Sequence, residues 1–334
     1  MKMKKFLNDP DNIVRELLEG LYYSNMDKLE LLPNNLVVSK QLGDRERVHI
    51  VTLGGTGHEP GLTGYVGQGM LDICAPGDIF AAPGPDLCFE AISIAHDASK
   101  GAGVLLIVLN HSGDMMTANL AMEMVEAAGL NVRKIVTRDD VSVSGQQPEE
   151  RRGLVGCVPL FKLCGAAAAD GRSLDEVYRI AERFTGNMAT VTVASRGATH
   201  PQTGSSIAVF GDDEMEIGMG QHGEDSGQRM GLKSADETAE ILLARLLEHI
   251  SFKFGDKALV LLSGSGSTTL MELLIVFRHV HALLEEKGVG VGAQWVGEIM
   301  TVQEAAGFQM CVAAMDDELL SYWNMECNTP YYRV

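Results

Sequence analysis

Residues 50–60 read IVTLGGTGHEP, and the reading of that run decides the fold. Val48, Ile50, Val51 and Leu53 are β-formers in a mostly apolar stretch, so the run opens as a strand. It then breaks into Gly54-Gly55-Thr56-Gly57, where missing Cβ atoms let the backbone turn sharply and approach a ligand. His58 and Glu59 follow directly, and Pro60 restricts how the chain continues. A strand that ends in glycines and delivers a histidine is how an α/β protein places chemistry at the carboxyl edge of its sheet. Alone, the run reads equally well as a tight turn with an idle histidine, so the rest of the chain has to decide.

Upstream, Asp11 to Gly20 has apolar residues at helical spacing, and Leu36 to Val38 is a short strand. Downstream, Ile79 to Ala82 reads as a strand entering a turn. Leu87 to Ser99 is helical with Asp86 as the expected N-cap. Gly103 to Asn110 (GVLLIVLN) is apolar without alternation, as a parallel strand covered on both faces must be. It ends in His111-Ser112-Gly113-Asp114. Helices then follow over 115–128, 154–169 and 173–184, the last with a Ser173/Glu176 capping box, and a strand covers 132–136. Beyond Thr185-Gly186-Asn187 strands are expected at 189–194, 206–210, 215–219, 257–262, 289–295 and 308–314, with helices at 234–249 and 268–286. The reading is two α/β domains with mainly parallel or mixed sheets flanked by helices, divided as 1–185 and 186–334, with an active site at the domain interface.

The composition excludes several classes. With 27 basic and 45 acidic residues the net charge is −18, which argues against nucleic-acid binding. No apolar run is long enough to span a membrane, and Met1 to Asn8 has lysines but no signal-peptide core, so a cytoplasmic location is expected. The six cysteines form no Cys-x-x-Cys pair and sit among apolar neighbours, as buried thiols do.

Three turns follow strands and place a reactive side chain beside glycine: LGGTGHEP with His58, NHSGD with Asp114, and GQHGED with His222. His58, Asp114, His222 and Glu224 are conceivable metal ligands, but neither HExxH nor a Cys/His quartet is present, and no metal site is assigned. Gly54 to Gly57 and Ser263 to Ser267 lack the P-loop lysine, and Gly264-Ser265-Gly266 lacks the G-x-S-x-G frame of a serine hydrolase. His111 reads as a supporting or surface residue, and Arg151-Arg152 as charge on a solvated loop.

At these turns the chain resembles the substrate-binding K subunit of bacterial dihydroxyacetone kinases. The segments that carry the resemblance are GGTGHEP, GYVGQGML (64–71), PGDIF (76–80), GVLLIVLNHSGD, RRGLVG, KLCGAAAADG (162–171), EMEIGMGQHGE and DDELLSYW (316–323). The resemblance implies a ketose-binding subunit that holds dihydroxyacetone or a related short ketose as a covalent hemiaminal on His222. It implies His58 as proton acceptor, Asp114 as hydrogen-bonding and proton-moving partner, and Gly55, Thr56 and Gly57 as substrate contacts. A neutral imidazole suits that role, being nucleophilic at physiological pH without prior deprotonation.

The same resemblance places ATP or ADP with magnesium on a separate nucleotide-binding L-type subunit, with no cofactor on this chain and no kinase activity from it alone. It further implies a phosphotransferase-system phosphocarrier in some systems, and a homodimer. The chain departs from the family at Leu109, a substrate-contacting position where lysine is frequent, at Leu53, over 195–203, and at Asp225-Ser226 after the nucleophile. Those changes point to a different short ketose, such as a tetrulose. The other role the resemblance offers is a non-catalytic ketose-sensing paralogue acting as a transcriptional co-activator.

Overall fold

The computed structural model describes residues 5–143, 145–224, 226 and 228–334. The chain divides into two compact units. The first contains Lys5–Thr137, Cys157–Arg183 and Ser321–Val334; the second contains Arg138–Gly156 and Phe184–Leu320. The division at 185/186 expected from composition therefore differs from the structure. The chain changes unit beside that point, at 183/184, and also at 137/138, 156/157 and 320/321.

In the first unit, a 3-10 turn capped by Asp9 leads into α1 (Ile13–Tyr23). There follow β1 (Leu29–Leu31), β2 (Val37–Ser39), β3 (His49–Thr56), β4 (Ile73–Ile79), α2 (Pro85–Ala98), β5 (Val104–Leu109), α3 (Ser112–Ala128), β6 (Val132–Thr137), α4 (Cys157–Ala169) and α5 (Leu174–Thr185). The sheet order is β1-β2-β4-β3-β5-β6. The four strands β4, β3, β5 and β6 are parallel, with Val51 opposite both Ile73 and Leu106, and β1 and β2 extend the sheet antiparallel. Val51, Leu53, Leu106 and Val108 face α2 and α3 through Ala91, Ile92 and Ala118. Ile50, Leu105 and Ile107 point the other way and are equally buried, on the side where α4 packs. Burial on both faces is why β5 shows no polar alternation.

Several sequence expectations shift here. The strand at 50–53 does not break at Gly54 but runs through Thr56. Residues 80–82 lie outside β4, because Phe80 takes a positive φ of 56° that ends the strand. Asp86 sits within the first turn of α2 and Gly84 is the N-cap; Pro85 opens the helix, so the cap position falls one residue before it. The Ser173/Glu176 box forms, with Ser173 N donating to Glu176 Oε2 at 2.9 Å.

In the second unit, β7 (Met188–Arg196), β8 (Glu214–Ile217), β9 (Arg229–Gly231), α6 (Ala235–Leu247), β10 (Lys257–Gly264), α7 (Leu270–Glu286), β11 (Val291–Gly297) and β12 (Ala306–Met315) follow in order, and α8 (Asp317–Trp323) crosses the division at 320/321. The sheet order is β11-β10-β12-β7-β8-β9, with only β10 and β11 parallel. α6 and α7 share one face, where Leu242, Leu246, Leu273 and Val280 meet Val191, Val260, Met310 and Val312. Both helices begin with complete capping boxes, Ser234/Glu237 and Thr269/Glu272. Segment 138–156 lies against the other face: Asp139 accepts from Thr190 Oγ1 at 2.6 Å, and Val155 N donates to Gln309 at 3.1 Å.

Residues 206–210 are not the expected strand. Ser206 makes one isolated bridge, to Thr199, and Ile207 N bonds Ala198 O, so the segment folds back on its own loop. All six cysteines are free and buried. Among the described residues no helix is long and apolar enough to cross a membrane.

Candidate functional site

In the first unit, Gly55, Thr56, Gly57, His58, Leu109 and Asp114 all lie at the carboxyl ends of β3 and β5 or in the residues that follow them. The glycines there are required by the chain itself. A Cβ on Gly55 would stand 2.7 Å from Ala81 N, and one on Gly57, whose φ is +100°, would stand 2.8 Å from the Phe80 ring. The turn after β4 is pressed onto β3, and Phe80 N donates to Thr56 O at 2.8 Å. His58 is buried beside that turn, its ring centroid 4.9 Å from that of Phe80. Glu59 Oε1 accepts from Gly57 N at 2.9 Å; burial raises the Glu59 carboxyl above its ordinary pKa, and that hydrogen bond offsets part of the shift.

Asp114 occupies the first turn of α3, where the helix dipole favours a carboxylate, and is 8% exposed. A Cβ on Gly54 would lie 4.0 Å from Asp114 Oδ1, which sets the carboxylate beside the glycine strand. The thiols of Cys74 and Cys88 are raised by burial and then by the Asp114 charge, Cys88 to about 12. Leu109 is buried at the last position of β5, opposite Thr137, and His111 is the half-buried N-cap residue of α3.

The second unit carries His222 in the turn after β8. Glu224 folds back on it across Gly223: His222 Nδ1 is 3.2 Å from Glu224 Oε1, and the His222 peptide N donates to Oε2 at 3.1 Å. Burial works to raise the Glu224 carboxyl, but the hydrogen bond and charge of His222 outweigh it and hold it at about 2. Gly220 N bonds Glu224 O at 2.9 Å and Gly223 N bonds Gly220 O at 3.0 Å. Thr192 Oγ1 holds Met219 O at 2.8 Å on the entering limb. On the leaving limb Ser226 N donates to the buried Glu216 at 2.7 Å. Asp225, where the sequence departs from its family, lies outside the described residues.

A carboxylate at Nδ1 favours the imidazole tautomer protonated there, which places the ring's lone pair on Nε2. The expectation from sequence treated Glu224 only as a conceivable metal ligand; the H-G-E spacing, with a glycine that permits the fold-back, was the available signal. Arg152 was expected on a solvated loop. Its side chain is only 18% exposed and is paired with the buried Asp140, Nε to Oδ2 2.7 Å. Phe80 was read as strand and instead packs on His58.

The Dak1 domain family model matches residues 19–331. The dihydroxyacetone-binding subunit DhaK of PTS-dependent dihydroxyacetone kinase 1 from Listeria innocua is 38% identical over 317 residues, which is 95% of this chain and 95% of that protein. The L-erythrulose kinase of Pectobacterium atrosepticum is 33% identical over 337 residues, 99% of this chain and 56% of that kinase. Among solved structures, the dihydroxyacetone kinase operon co-activator Dha-DhaQ superposes with a TM-score of 0.88 at 30% identity, covering 94% of this chain and 97% of the co-activator. With a family model over nearly the whole chain and relatives at this identity and coverage, the chain belongs to the Dak1-domain family, which includes the DhaK dihydroxyacetone-binding subunits.

Proposed function

We propose that this chain is the ketose-holding subunit of a multi-component kinase. It captures dihydroxyacetone or a related three- or four-carbon ketose on His222 for phosphorylation of a terminal hydroxyl. The observation that supports the reading is the His222–Glu224 contact of 3.2 Å at Nδ1, which favours the tautomer with its lone pair on Nε2. Nε2 donates its lone pair to the carbonyl carbon and the C=O π pair moves to oxygen, which takes a proton. The Nδ1 proton leaves, giving a neutral hemiaminal, and the Glu224 carboxylate stabilises the cationic imidazole in between. Polyols without a carbonyl are excluded by this step.

His58 accepts the proton of the hydroxyl that is phosphorylated, and Asp114 hydrogen-bonds the substrate. Gly55, Thr56, Gly57 and Leu109 bound the ketose. The phosphoryl donor belongs to a nucleotide-binding partner subunit carrying ATP or ADP with magnesium, recharged where applicable by a phosphotransferase-system phosphocarrier, and the chain acts as a homodimer. The names of the Listeria and Pectobacterium relatives support both the ketose class and the kinase. Leu109, apolar where a charged donor would contact substrate, favours a ketose longer than dihydroxyacetone.

The test is carbon NMR of the protein with dihydroxyacetone or erythrulose labelled at the ketone carbon. A protein-bound tetrahedral carbon that is absent with His222→Ala is the expected result; its absence with every short ketose overturns covalent capture. A second reading, a ketose-sensing transcriptional co-activator, is favoured by the close superposition on Dha-DhaQ. Turnover with a nucleotide-bearing partner subunit, lost in His58→Ala, supports the kinase; ketose-dependent binding to a regulator without turnover supports the sensor.

A further inference from the structure

Arg152 reaches three groups from segment 138–156. Its Nε donates to Asp140 Oδ2 at 2.7 Å, its Nη2 donates to Gly218 O at 2.7 Å, and its Nη1 lies 3.8 Å from Glu224 Oε2. Asp140 is itself fixed: it is buried, its peptide N bonds Arg152 O at 3.0 Å, and its Oδ1 accepts from Ser142 N at 2.9 Å. The guanidinium is thus anchored on one side by a buried carboxylate. On the other it faces both the entering limb of the His222 turn, at Gly218, and the carboxylate that touches His222.

The turn is shaped to admit this arrangement. A Cβ on Gly220 would stand 1.9 Å from Glu224 Oε2 and 2.3 Å from Arg152 Nη1, so the ion pair occupies the space a side chain at 220 would fill. Charge alternates along Asp140, Arg152 and Glu224, and the line ends at the His222 imidazole. A planar guanidinium with its donors in a fixed fork can hold a carbonyl and face a carboxylate at once, which an ammonium cannot do with the same geometry.

We propose that Arg152, anchored by Asp140, is a positioning residue that holds Glu224 against His222 and thereby sets which imidazole nitrogen is open to the ketose. This rests on the covalent reading of His222, but its first measurement needs no ketose. In ligand-free protein with nitrogen-15 histidine, the His222 signals are identified by their loss in His222→Ala. The wild type shows a single tautomer protonated on Nδ1.

Arg152→Gln converts His222 to a mixture of tautomers and slows adduct formation on the order of 10²-fold. Arg152→Lys, which keeps the charge and loses the fork, falls between the two. An Arg152→Gln protein that retains its circular dichroism and also the wild-type tautomer overturns the proposal. If Arg152→Gln does not fold, Arg152→Lys carries the test, and a wild-type tautomer and rate there overturn it. A wild type that forms no adduct sinks the covalent reading instead, and leaves the tautomer result to be judged separately.

Discussion

The two turns that carry the candidate residues are held by different physics. The turn at 54–59 is held by close steric packing: Gly55 lies under the backbone of Ala81 and Gly57 under the Phe80 ring. The turn at 218–224 is held by charge and side-chain hydrogen bonds, through Arg152, Glu224, Glu216 and Thr192. A sterically held turn gives a fixed wall, since at Gly55 the neighbour is backbone and cannot swing aside. A charge-held turn gives a nucleophile whose state depends on the ionisation of its partners.

The largest expected contrast is in chemistry. His222→Ala removes the tetrahedral carbon signal entirely, while the unfolding free energy from a urea titration changes by less than about 1 kcal/mol, the worth of one half-exposed hydrogen bond. Alanine substitutions at glycine then separate the turns. Gly55→Ala drives a methyl into backbone atoms and lowers stability by about 1–3 kcal/mol in a urea titration. Gly220→Ala meets the ends of the Glu224 and Arg152 side chains, and Glu224, the more exposed of the two, can turn out to solvent. Its stability loss stays under about 1 kcal/mol, but adduct formation slows because Glu224 leaves its place.

Smaller differences sharpen the comparison by pH. Glu224 has a depressed pKa, so its stabilising contribution is full above its ordinary value of 4.5 and is lost as pH falls toward about 2. Glu59 is raised by burial, so its effect has the opposite sign: stability is lost as pH rises from 4.5 through the raised value. Glu59→Gln therefore leaves stability at pH 7 unchanged or slightly higher, by less than about 1 kcal/mol. Glu224→Gln lowers it and slows the adduct about tenfold. Thermal melts of both variants between pH 3 and 7 check the signs; a parallel response would remove the distinction.

Much of the first unit was legible because parallel strands buried on both faces, such as 104–109, have an unmistakable apolar run, and because α1 and α5 carry a clear helical period. The antiparallel order of the second sheet was not. β12 is as apolar as a parallel strand, and nothing local to Ala306–Met315 says that it inserts between β10 and β7. Residues 206–210 misled through composition alone: Ile207 and Ala208 lie close against Gly223 and Gly197 in the loop and do not pair in a sheet.

Of the candidate residues, His58, Asp114 and His222 were readable from glycine-flanked turns after strands. Arg152 and Asp140 were not: they pair with each other within one charged loop, where an arginine is ordinarily solvated, and the contacts of Arg152 with Gly218 and Glu224 lie far along the chain. Phe80 was hidden by its positive φ, which no β-former signals.

The return of residues 321–334 to the first unit bears on how the protein is made. Lys162 Nζ holds Tyr322 O at 2.8 Å, Asn328 N bonds Gln68 O at 3.0 Å, and Tyr331 N bonds Gly64 O at 3.3 Å. Those partners sit in α4 and in the loop between β3 and β4, the most N-terminal part of the candidate site. At usual elongation rates, roughly 10–40 s separate the emergence of residue 137 from that of residue 321. Through that interval the nascent strands β1–β6 lack the contacts that residues 321–334 make with Lys162, Gln68 and Gly64, so the loop that follows His58 gains this packing only once the chain has emerged past residue 321.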